Sequence, residues 1–105
     1  MVLQKETIVD RLKKLKARYV KEGFIILGIF GSYARGEADE HSDIDILYDL
    51  ENSFIKTNGG FGVFSRLAEI REELALSLGK TVDIATTNPH NTVFQEVALK
   101  DLIRV

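Results

Sequence analysis

Ile8, Leu12, Leu15 and Tyr19 recur at three- and four-residue intervals with charged residues between them, the period of a helix with one buried face. Gly23 then supplies a left-handed stop, so the spacing predicts a helix over about residues 5–22. FIILGIF (24–30) is a continuous apolar run with β-branched and aromatic members, which predicts a strand buried on both faces. After it come a Gly31-Ser32 turn, one helical turn over 33–36 and a polar loop through Ser42. DIDILYDL (43–50) is the second predicted strand. NSFIKTNGGFG (52–62) carries three glycines and reads as a mobile loop. Phe64, Leu67, Leu74 and Leu78 mark a helix that ends at Gly79, with Phe61 and Phe64 assigned to the core. TVDIAT (81–86) is the third strand, and Asn88-Pro89 is an N-cap with proline at the first helical position, opening a last helix through about 100. The order αβ(α)βαβα predicts an α/β (α+β) fold, a small mixed sheet of about three strands flanked by helices.

Composition narrows this picture little. The 105 residues fit one domain, 1–105, with a single modest core. A formal charge of −2 argues against a broad grip on nucleic-acid backbones, which needs clustered Lys and Arg. The basic stretch RLKKLKAR (11–18) reads as the solvated face of the first helix. With no cysteine there is neither a disulfide frame nor a thiolate metal site. The longest apolar run is too short for a membrane span and MVLQKET lacks the form of a signal peptide, so a cytoplasmic protein is the expectation.

One stretch conflicts with its own element. Asp43 and Asp45 sit at i and i+2 of a predicted strand, where aspartate is depleted and like charges on one face repel. Residues at that spacing point to the same side, with Cα atoms roughly 6.7 Å apart. A divalent cation would turn the repulsion into ligation, and Mg²⁺ suits one or two carboxylates completed by water and phosphate oxygens. Gly31 and Ser32 supply a phosphate holder: the glycine lets backbone approach a ligand, and the following amides and the Ser32 hydroxyl donate hydrogen bonds. Together they describe a nucleoside triphosphate site.

GSYARGEADEHSDIDI (31–46) resembles the signature of the minimal nucleotidyltransferases, a group within the DNA polymerase β-type nucleotidyltransferase superfamily. Gly31, Ser32, Ala34, Arg35, Gly36, Ser42, Asp43 and Asp45 match that signature, and Ile46 replaces its usual leucine. VDIA (82–85) places Asp83 where the family carries a third carboxylate on a later strand. The resemblance covers essentially the whole chain and implies roles. Asp43 and Asp45 would hold Mg²⁺ against the β- and γ-phosphates of ATP. Asp83 would share a second ion and help activate the attacking hydroxyl, and Gly31 and Ser32 would bind the triphosphate. Arg35 would either reach phosphate or tie its loop to Glu37 or Asp39; both readings stand at this point.

The chain ends soon after its last predicted helix, so the acceptor, or the rest of its pocket, is expected to come from another polypeptide. Minimal nucleotidyltransferases of this kind are typically paired with helical HEPN-domain proteins. The resemblance implies an antitoxin of a type VII toxin–antitoxin system that moves AMP from ATP to a tyrosine of a HEPN toxin. Two other readings remain: a binding module that neutralises its partner without transfer, and one half of a split small-molecule nucleotidyltransferase. GKT (79–81) ends like a phosphate-binding loop, but Leu74 stands where that motif needs glycine, and a helix precedes rather than follows it. His41 and His90 have no second histidine nearby and read as loop and cap residues.

Overall fold

The computed structural model describes residues 3–86 and 92–105. Helix α1 (Lys5–Tyr19) runs into a single 3-10 turn over Val20–Glu22, and Gly23 ends it with a left-handed φ of 87°. Strand β1 (Phe24–Phe30) follows, then the short helix α2 (Gly31–Arg35), strand β2 (Ile44–Leu50), helices α3 (Asn52–Asn58) and α4 (Gly60–Leu78), strand β3 (Val82–Thr86), helix α5 (Thr92–Asp101) and strand β4 (Ile103–Arg104). The sheet order is β3-β2-β1-β4. β2 runs antiparallel to β1 and parallel to β3, and β4 returns antiparallel to β1. The architecture is thus the expected mixed sheet flanked by helices. The expected N-cap at Asn88-Pro89, and His90, lie outside the described residues.

One face of the sheet carries the main core. From α1 come Ile8, Leu12 and Tyr19, and from α4 come Ile70, Leu74 and Leu78 at four-residue spacing. They close over Phe24, Ile26, Ile44, Ile46 and Val82. The basic residues Arg11, Lys13, Lys14 and Arg18 lie on the exposed side of α1, as the amphipathic pattern predicts. Phe24 is the hub of an aromatic group: it stacks on Tyr48 at 4.8 Å and meets Tyr19 edge-on at 5.9 Å and Phe54 at 6.2 Å. Above this core, Arg66 donates to Glu22 at 2.8 Å and to Glu73 at 2.9 Å, while the Tyr19 hydroxyl donates to Glu73 at 2.5 Å. Leu47 and Ala98 are buried outside this cluster. Strand alternation puts Leu47 on the opposite face, the one that Asp45 shares.

Three expectations are corrected. The segment 52–62 is not a loop but α3 and the start of α4, broken only at Gly59 with φ 59°. Phe54 is fully buried beside Phe24, so tertiary packing overrides the glycine-rich composition. Phe61 and Phe64 are not core: they are 92% and 72% exposed, because α4 is anchored through Ile70, Leu74 and Leu78 further along. Among the described residues the sheet has four strands, where about three were expected. β4 can reach β1 because Gly28 lacks a side chain: a Cβ there would meet the Ile103 carbonyl carbon at 2.8 Å. Lys16 donates to the Val105 carbonyl oxygen at 2.8 Å, and the Val105 N–H donates to Leu27 at 3.2 Å, fixing that terminus.

Candidate active site

β1 ends at Phe30, and the chain turns through Gly31 with φ 74°, a conformation that disfavours any residue with a Cβ. Register carries this turn across the sheet. Phe30 pairs with Asp45 on β2, and Asp45 pairs with Asp83 on β3. The Asp45 carboxylate lies directly against Gly31, with its Cγ 3.1 Å from where a Cβ would stand. Two constraints therefore meet at Gly31: the backbone is left-handed and an acidic side chain fills the space that a methyl group would take.

Asp43 precedes β2 and is exposed, Asp45 is half-buried, and Asp83 is exposed. Burial pushes the Asp45 carboxyl above the usual aspartate range, and the charges of Asp83 and Asp43 push it further, with Arg35 opposing. The Asp45 carboxyl thus feels both neighbouring acids, with Arg35 as a partial counter-charge. Arg35 donates from Nε to Glu37 at 2.9 Å and from Nη1 to Asp101 at 3.0 Å. Its tie to Glu37 was one of the two expectations; the link to Asp101, at the end of α5, had no local signal because the residues are 66 apart. Asp39 does not meet Arg35. It accepts from the Ser42 hydroxyl at 3.2 Å and from the His41 N–H at 2.8 Å, which folds the loop back toward Asp43. Lys80 donates to the Glu40 carbonyl oxygen, clamping the same loop to the turn before β3.

Ser32 is half-buried in the first turn of α2, whose Gly36 end is again left-handed with φ 74°. Gly31, Ser32, Asp45 and Asp83 thus lie around one end of the central strands. Among the described residues, no three acidic or histidine side chains stand close enough to hold an ion as placed. That does not conflict with Mg²⁺, which takes one or two carboxylates and fills its octahedron with water and phosphate oxygens. Asp45 and Asp83, paired on neighbouring parallel strands, offer hard oxygen donors of this type. His41 is exposed, and its imidazole Nε2 lies 3.6 Å from the Glu40 carboxylate. Gly79 ends α4 as a left-handed cap, so GKT has no phosphate-cradling geometry.

A small mixed sheet with paired carboxylates beside a Gly-Ser turn defines a transferase class that handles nucleotide phosphates. The nucleotidyltransferase domain family matches residues 6–105, and the chain belongs to that family. It is similar to "Protein adenylyltransferase MntA" of Thermococcus cleftensis, with 34% identity over 95 residues, 89% of this chain and 83% of the relative. It is also 35% identical to "Putative protein adenylyltransferase MJ1379" of Methanocaldococcus jannaschii, over 96% of this chain and 93% of that protein. A solved structure described as "Structure of putative minimal nucleotidyltransferase" superposes with a TM-score of 0.72 at 27% identity, over 98% of this chain and 97% of its own. No helix among the described residues is long and apolar enough to cross a membrane.

Proposed function

We propose that this chain is a Mg²⁺-dependent protein adenylyltransferase that moves AMP from ATP to a tyrosine hydroxyl of a helical HEPN-domain partner, and so acts as its antitoxin. The observation that carries this reading is the seat of the Asp45 carboxylate against Gly31, in register with Asp83. That juxtaposition of the Gly31-Ser32 turn with Asp45 and Asp83 supports a triphosphate held beside the acids. The relatives described as protein adenylyltransferases support a protein acceptor.

In this reading Gly31 and Ser32 bind the triphosphate, Asp43 and Asp45 hold Mg²⁺, and Asp83 faces the acceptor and shares a second ion. When bound, the ions neutralise phosphate charge and stabilise the entering and leaving oxygens. The acceptor oxygen forms its bond to the α-phosphorus as the α–β anhydride bond breaks and pyrophosphate leaves. The phenolic proton passes to the Asp83 carboxylate and on to water. Arg35, held by Glu37 and Asp101, stays beside Asp45 as the nearby positive charge.

The test is incubation of the purified pair with α-labelled ATP and Mg²⁺. Label should appear on the partner and be lost with Asp43→Asn. An unlabelled partner, or undiminished labelling by that variant, contradicts the proposal. Full neutralisation by an Asp43→Ala, Asp45→Ala double variant would favour a binding module instead.

A further inference from the structure

β3 is the outer strand of the sheet, and it carries Asp83. Its phase on β2 is fixed: the Ile44 N–H donates to the Thr81 carbonyl at 3.0 Å, and Ile44 pairs with Val82. In a parallel ladder this turns the backbone groups of Thr81, Asp83 and Ala85 toward β2. Those of Val82, Ile84 and Thr86 face away from it. Among the described residues, no strand pairs with that outer side. Such a row of N–H and C=O groups is a template for another extended chain.

The outer side opens into a groove of about 660 Å³ between β3 and the last turns of α4, lined by Arg71, Glu72, Leu76, Lys80 and Asp83 among others. Leu76 is 82% exposed there, an apolar contact with nothing from the described residues over it. Arg71 and Lys80 stand with Glu72, so both signs of charge border the groove. The edge, the apolar contact and the third carboxylate coincide.

We propose that the acceptor protein presents an extended segment that adds to the sheet along the outer side of β3, bringing its target hydroxyl up beside Asp83. This deepens the adenylyltransferase reading and rests on it. Strands lie about 4.8 Å apart, so the residue opposite Asp83 sits roughly 9.6 Å from Asp45, with its side chain on the same face as both acids. A hydroxyl on a short stem would end over the edge strand itself. Tyrosine, with the longest hydroxyl-bearing side chain, spans toward Asp45. Main-chain pairing would supply affinity, and the alternate side chains would set which segment fits.

Residue-resolved amide exchange on the chain, alone and with the HEPN partner of the labelling assay plus a non-hydrolysable ATP analogue, tests this. Protection should rise about tenfold or more at Val82, Ile84 and Thr86 and stay unchanged at Asp83 and Ala85, whose N–H groups already face β2. Thr86→Pro, at an exposed position, removes one outward N–H and leaves the ladder intact. It should raise the KM for the partner about tenfold while the KM for ATP holds. A partner that is labelled without alternating protection, or a Thr86→Pro variant with unchanged KM for it, overturns the strand-addition proposal alone. The same protection in the chain by itself, with a dimeric mass, assigns the edge to a second copy and also overturns it. An unlabelled partner removes the adenylyltransferase reading, and this proposal falls with it.

Discussion

Replacing Gly31 by alanine imposes two separable costs. The left-handed backbone at φ 74° costs a residue with a Cβ about 1–2 kcal/mol. The new methyl group would also overlap the Asp45 carboxylate, whose Cγ would stand 3.1 Å from it with an oxygen closer still. Ordinary contact requires that oxygen to retreat by about 1 Å. Gly36 is the control: it has the same φ of 74°, but a Cβ there meets nothing within 4 Å. Gly36→Ala should therefore show the backbone cost alone, a melting temperature lowered by roughly 5–15 °C at about 4–8 °C per kcal/mol. Gly31→Ala should melt in a similar range, because driving a half-desolvated carboxylate toward water relieves part of the overlap. Activity separates the two. A displacement near 1 Å at the reacting centre costs on the order of 100-fold. Adenylate transfer, measured at a temperature where both variants are folded, should fall about 100-fold in Gly31→Ala and within about threefold in Gly36→Ala. Equal activity in the two variants would mean that Asp45 does not work from its seat against Gly31.

Asp45→Asn should stabilise the free protein at neutral pH. The folded-state carboxyl titrates above its unfolded value, so the native state binds more protons and loses stability as pH rises through that window. The melting-temperature gain of the amide should accordingly shrink as pH falls below the ordinary aspartate range. Arg66→Ala should destabilise by about 1–2 kcal/mol at pH 7, since it removes charge-assisted bonds to both Glu22 and Glu73. Arg66 holds the Glu22 carboxyl below its usual range, and the Tyr19 hydroxyl followed by Arg66 does so for Glu73. That stability is present above the ordinary glutamate range and lost as pH drops through the lowered values, so the variant and the wild type should converge in acid. Phe61→Ser should change stability by less than about 0.5 kcal/mol in chemical denaturation, as expected for a side chain that touches solvent.

α1 and the first three strands were legible from their apolar patterning. β1 falls where FIILGIF predicts it, and β2 and β3 each start one residue later than expected, at Ile44 and Val82. What escaped was set by distant partners. Residues 52–58 are helical because Phe54 packs on Phe24, a contact concealed by the asparagines in that stretch and the glycines just after it. α4 begins at Gly60 and packs Val63 and Leu67 against the core, so Phe61 and Phe64 fall on its exposed side. β4 depends on a single missing side chain at Gly28. For the candidate site, Asp43 and Asp45 of the expected strand are the sequence signal, because strands disfavour aspartate; β2 in fact begins at Ile44, so only Asp45 lies within it. The hold of Asp101 on Arg35 joins residues 66 apart in sequence and left no trace in local spacing.

A crystal structure with a non-hydrolysable ATP analogue and Mn²⁺, phased for anomalous scattering, tests the centre most directly. The account predicts a manganese peak ligated by the Asp43 and Asp45 carboxylates, with the triphosphate on Gly31 and Ser32 and the α-phosphorus facing Asp83. Nucleotide bound away from the Gly31-Ser32 turn, or manganese without a carboxylate from Asp45, would contradict it.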